Sequence, residues 1–188
     1  MRQLPHLLTL CRLAAAPFLA WLLLQSRFRE ALGVVLVAGL TDWFDGFAAR
    51  RLHVSGRIGA ILDPIADKTL LVTLFLTIGY MRLVPEWLIY LVIGRDVVIV
   101  AGALLLRFLR GIRRFLPSTL GKVSTFFQIL LVMLVLVQAS FPHKILLLLQ
   151  NIALLLCALF TFVSGLDYVR RGIEMSKADA GRASKGEL

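Results

Sequence analysis

Six times along its 188 residues this chain runs for about twenty positions with few side chains that are not apolar, which is the length that crosses a bilayer. These stretches cover 7–24, 30–50, 58–80, 85–108, 116–140 and 145–169. Lipid offers backbone N–H and C=O groups no partner, so a spanning segment must be a helix or part of a closed barrel. No strand-like alternation is visible, and the connections are short. The pattern therefore predicts an all-α integral membrane protein, a six-transmembrane-helix bundle formed by residues 1–173. Residues 174–188 are polar and mixed in charge and are expected to form a disordered or solvated tail. The first apolar run contains Arg12 and has no convincing small-residue cleavage site, so it reads as a retained helix rather than a signal peptide.

The formal net charge is +10, which could suggest nucleic acid. The basic residues, however, sit between apolar stretches and are not interleaved with stacking aromatics, so nucleic acid is excluded as a partner. Arg50, Arg51 and Arg57 follow the second stretch; Arg107, Arg110, Arg113 and Arg114 follow the fourth; Arg170, Arg171 and Lys177 follow the sixth. The opposite loops hold only Arg27 and Arg29, then Arg82, then Lys144. The positive-inside rule places both termini in the cytoplasm. Trp21, Trp43 and Trp87 near the stretch ends suit an aromatic belt. Cys11 and Cys157 have neither disulfide nor metal spacing and read as small packing residues.

Residues 42–67, DWFDGFAARRLHVSGRIGAILDPIAD, carry four carboxylates into this apolar setting. Asp42 and Asp45 are three apart and Asp63 and Asp67 four apart, so on helices each pair shares a face. Gly59 extends the second stripe and permits a close approach to the backbone. Four carboxylates in one cavity need a counter-charge. Hard oxygen ligands suit two Mg²⁺ or Mn²⁺ ions, a common device for phosphoryl chemistry. By the charge rule, this polar cavity opens at the cytoplasmic side.

Spelled Asp-x2-Asp-Gly-x2-Ala-Arg-x8-Gly-x3-Asp-x3-Asp, the stretch resembles the signature of the CDP-alcohol phosphatidyltransferase family at every fixed position. The resemblance implies transfer of a phosphatidyl group from CDP-diacylglycerol to an acceptor hydroxyl, with release of CMP. It implies two divalent cations held by Asp42, Asp45, Asp63 and Asp67, with Asp67 also taking the acceptor proton. It implies a CDP-lipid site that includes Gly46, Arg50 and Gly59, with Ser55 and Gly56 where members often carry a hydroxyl residue. Members also tend to dimerise, and a bacterial inner membrane is the expected location. The opening PHLLTLCR is similar to the family's, except that His6 stands where Asn is usual.

Arg95 and Asp96 interrupt the fourth stretch, and adjacent positions on a helix do not face each other, so separate partners are expected. Arg95 is a candidate for an acceptor phosphate, with a structural ion pair as the other reading. Lys122, followed by Ser124, Thr125 and Gln128, is a second candidate at the acceptor or the headgroup level. His53 and His143 read as surface residues. LLTLCR, DPIADK and LGKVST are similar to segments of phosphatidylglycerophosphate synthases, which use glycerol 3-phosphate as acceptor. GRDVVIV and PSTLGKVSTFFQ are similar to cardiolipin synthases, which use phosphatidylglycerol. An ion transporter is the reading from another class, but the acids gather at one membrane face and no inverted repeat is visible.

Overall fold

A computed structural model of the chain describes the backbone over residues 4–52, 59–110 and 118–184, and side chains over 13–41, 68–102, 104–105 and 118–174. The described residues form six α-helices and no strand: α1 (Leu4–Leu24), α2 (Phe28–Leu52), α3 (Gly59–Tyr80), α4 (Glu86–Arg110), α5 (Thr119–Ser140) and α6 (Lys144–Ser184). Each falls on one of the six apolar stretches. Among the described residues two stretches are long and apolar enough to cross a membrane, α5 and the Lys144–Glu174 part of α6, while Leu13–Leu24 and Lys68–Tyr80 are shorter apolar pieces. In α2 and α4 the apolar run is interrupted by Asp42 and Asp45, and by Arg95 and Asp96, respectively.

The chain divides into two units, Met1–Pro85 with Val132–Gln150, and Glu86–Leu131 with Asn151–Leu188. In the first, α1 packs on both α2 and α3. Ala16, Leu19 and Leu23 of α1, and Leu71, Leu74, Phe75 and Ile78 of α3, recur at three- and four-residue steps and are buried. Both α1 and α3 end in a Schellman turn without glycine. Ser26 (φ 58°) and Arg82 (φ 57°) hold the left-handed position. At the first turn the N–H of Arg27 donates to Leu22 O at 2.9 Å and that of Ser26 to Leu23 O at 2.7 Å. At the second, Leu83 donates to Ile78 O and Arg82 to Gly79 O, both at 2.9 Å.

The second unit buries polar side chains beside apolar ones and leaves large apolar side chains outside. Ser124, Gln128, Thr161 and Ser164 are fully buried, while Leu155, Leu159, Phe162 and Leu166 of α6 are exposed. Lipid-facing helices can leave apolar side chains outside and use buried hydroxyls and amides as interhelical glue. Here α5 and α6 are joined by Phe127 stacked on Phe160 at 4.8 Å, and by Ser124 Oγ and Thr161 Oγ1 at 3.1 Å.

The helix α6 runs past its apolar stretch. Residues 174–184, the start of the polar tail, continue the helix. Lys, Ala, Glu and Arg in this segment lose little rotamer freedom in a helix, and Arg170 pairs with Glu174 one turn on at 2.8 Å. At its other end α6 is capped by His143, whose Nδ1 accepts the N–H of Ile145 at 3.3 Å. Trp21 and Trp87 are half-exposed near helix ends, as a belt requires.

Candidate active site

The carboxylate motif lies on two helices. Asp42, Asp45, Gly46 and Arg50 are in the C-terminal half of α2; Gly59 opens α3, and Asp63 and Asp67 follow on it. Because α2 is continuous through Leu52, Asp42 and Asp45 are separated by about 4.5 Å along the axis and share a face. Asp63 and Asp67 in α3 are separated by about 6 Å and likewise share one. Both helices pack on α1, so both arms of the motif belong to one unit. The side chains of residues 42–67, and Ser55, Gly56 and His53 altogether, lie outside the described residues, as do the side chains of His6 and Arg12. Among the described residues no three His, Cys, Asp or Glu side chains gather. A carboxylate offers only oxygen donors, a chemistry that suits Mg²⁺ or Mn²⁺ better than a softer ion.

A second polar centre surrounds Arg95 of α4. The side chains of Arg95 and Asp96 are 8% and 12% exposed, and Arg95 Nη1 donates to Asp96 Oδ1 at 2.9 Å. This corrects the expectation of separate partners. The long arginine side chain folds back to its neighbour, because in a buried setting an unpaired charge costs more than the bend. Arg95 Nη2 donates to Ser164 Oγ at 2.9 Å, and the guanidinium lies 5.6 Å from the centroid of the Tyr168 ring. Arg95 Nε is buried with no hydrogen-bond partner among the described residues.

This centre meets the first turn of α5. Ser118 caps that helix: its Oγ accepts the N–H of Gly121 at 3.0 Å. The Ser118 N–H in turn donates to Tyr168 Oη at 3.1 Å. Lys122 is the next residue, and its side chain is exposed. Sequence reasoning singled out Arg95 and Lys122 but missed Tyr168, Ser164 and Ser118. The available signal was SGLDY, polar and small residues at helical spacing inside the last apolar run.

A family model described as CDP-alcohol phosphatidyltransferase matches residues 2–163. The chain belongs to the CDP-alcohol phosphatidyltransferase family. A cardiolipin synthase (CMP-forming) of Rattus norvegicus is 36% identical over 145 residues, 69% of this chain and 48% of that protein. The Homo sapiens cardiolipin synthase is 34% identical over the same shares. A CDP-diacylglycerol–glycerol-3-phosphate 3-phosphatidyltransferase of Aquifex aeolicus is 33% identical over 179 residues, 92% of this chain and 97% of that protein. The chain thus spans about half the length of the mammalian relatives and nearly all of the bacterial one.

Proposed function

We propose that the chain is a metal-dependent CDP-diacylglycerol phosphatidyltransferase with glycerol 3-phosphate as acceptor. The observation that carries the reading is the complete carboxylate motif on continuous helices in a chain of this family. Asp42, Asp45, Asp63 and Asp67 would hold two Mg²⁺ or Mn²⁺ ions. Bound there, the ions would neutralise the diphosphate and stabilise the leaving phosphate.

The remaining chemistry belongs to the chain's own residues. Arg50, one turn past Gly46, pairs with the diphosphate, and Gly46 and Gly59 let the nucleotide approach the helices. The acceptor oxygen attacks the β-phosphorus, the bond from that phosphorus to the bridging oxygen breaks, and CMP leaves with the bridging oxygen. The acceptor proton passes to Asp67. Arg95 and Lys122 recognise the acceptor's phosphate. Residues 1–173 form the six-span membrane domain, with the motif and both termini on the cytoplasmic side of the inner membrane and the acyl chains left in the bilayer.

The near end-to-end match to the Aquifex aeolicus enzyme favours glycerol 3-phosphate. A second reading, phosphatidylglycerol as acceptor, is favoured by the higher identity to the rat cardiolipin synthase. The test is product analysis with CDP-diacylglycerol, Mg²⁺ and each acceptor in separate reactions. Phosphatidylglycerophosphate as the product supports the first reading; cardiolipin, with no product from glycerol 3-phosphate, overturns it in favour of the second.

A further inference from the structure

Arg95 is held from three sides by residues to which the family motif assigns no role. Asp96 takes Nη1, Ser164 takes Nη2, and the guanidinium carbon lies over the Tyr168 ring. Tyr168 also reaches beyond Arg95, since its Oη accepts the N–H of Ser118, the residue that caps α5. One side chain of α6 therefore touches both the arginine of α4 and the start of the helix that carries Lys122.

The fit depends on a missing side chain. A Cβ at Gly121 would lie 3.0 Å from Tyr168 Oη, 3.1 Å from Arg95 Nη2 and 3.2 Å from Tyr168 Cε2. Tyr168 is tied to Ser118 and Arg95 is ion-paired, so neither is a loose chain end that could swing aside. Gly165, by contrast, would place a Cβ 3.6 Å from Arg95 Cγ, an ordinary contact. Gly121 is the clearance that lets the guanidinium and the ring settle on the first turn of α5.

We infer that Tyr168, with Ser164 and the clearance at Gly121, forms a positioning set that aims Arg95 at the acceptor's phosphate. The inference rests on the proposed role of Arg95 and assigns none of the three to contact with substrate. The set fixes the direction of a planar fork whose hydrogen bonds lose strength steeply with misalignment. Its loss weakens acceptor binding and leaves the CDP-lipid site as it was.

The experiment is steady-state CMP release by the detergent-solubilised full chain, titrating glycerol 3-phosphate and CDP-diacylglycerol separately. The variants are Tyr168→Leu, Tyr168→Phe, Ser164→Ala, Gly121→Ala and Arg95→Lys. Tyr168→Leu and Gly121→Ala are expected to raise KM for glycerol 3-phosphate about tenfold, with KM for CDP-diacylglycerol unchanged. Tyr168→Phe keeps the ring and is expected to recover most of that loss; Ser164→Ala is expected to fall between.

A merely structural role would instead lower kcat through a smaller active fraction and leave both KM values in place, and that result overturns the inference. Should Tyr168→Leu fail to fold, Ser164→Ala and Gly121→Ala decide by the same split. Arg95→Lys separates the two levels. If it raises the acceptor KM while the positioning variants do not, the positioning set is wrong and the acceptor reading stands. If Arg95→Lys leaves the acceptor KM unchanged, the acceptor reading falls, and the inference with it.

Discussion

The carboxylate motif and the Arg95 centre are two charged sites in an apolar chain, built by opposite means. The carboxylates are spaced by helix geometry alone: three and four residues apart, on α2 and α3, with both helices seated on α1. On the proposed reading their chemistry follows from number and like charge, which call for cations. Arg95 is one cation whose setting comes from three helices, through contacts to Asp96, Ser164 and Tyr168 and the first turn of α5. A site made of like charges must recruit its partner from solution. Where a charge already has a counter-charge beside it, as Arg95 has Asp96, what the site offers is direction.

That contrast predicts different failures. The largest effect belongs to the carboxylates. Asp63→Asn is expected to lower kcat by about a hundredfold or more, and chelation of divalent cations by EDTA to abolish CMP release until Mg²⁺ or Mn²⁺ is restored. Activity that survives exhaustive chelation would remove the carboxylates from the chemistry and dissolve the comparison. Below the Arg95 centre, Thr161 joins Ser124 and Gln128 at 3.1 and 3.3 Å. Thr161→Val is expected to cost about 1 kcal/mol of stability with both KM values unchanged. Thermal unfolding in detergent measures the first and kinetics the second; a shifted acceptor KM would extend the positioning set deeper along α6.

The smallest effect lies at the turn after α3, remote in role from both sites. Arg82 holds a left-handed conformation that glycine adopts without strain. Arg82→Gly is expected to stabilise the protein by about 0.5 kcal/mol, the relieved strain being partly offset by glycine's freedom in the unfolded chain, read as a small rise in Tm with CMP release unaltered.

The same contrast explains what could be read in advance. Helix number, and the placement of Asp42, Asp45, Asp63 and Asp67 on helices, were legible because hydrophobic runs and spacings of three and four are local patterns. The Arg95–Asp96 pair was misjudged because neighbours on a helix diverge at Cβ, and only burial brings a long side chain back to its neighbour. Tyr168 and Gly121 were invisible because their meaning depends on residues far apart in the chain. The turns at Ser26 and Arg82 lacked the glycine that usually announces them. The helical tail through Ser184 was hidden by its polarity, which suits a solvated helix as well as a disordered segment.

The most direct measurement compares Asp63→Asn and Arg95→Lys side by side in CMP release, titrating CDP-diacylglycerol and glycerol 3-phosphate independently. The expected result is a division of labour: the first variant loses kcat at saturating concentrations of both substrates, and the second keeps much of its kcat but requires about tenfold or more glycerol 3-phosphate. Undiminished turnover in Asp63→Asn, or an Arg95→Lys variant whose defect lies in CDP-diacylglycerol, would contradict it.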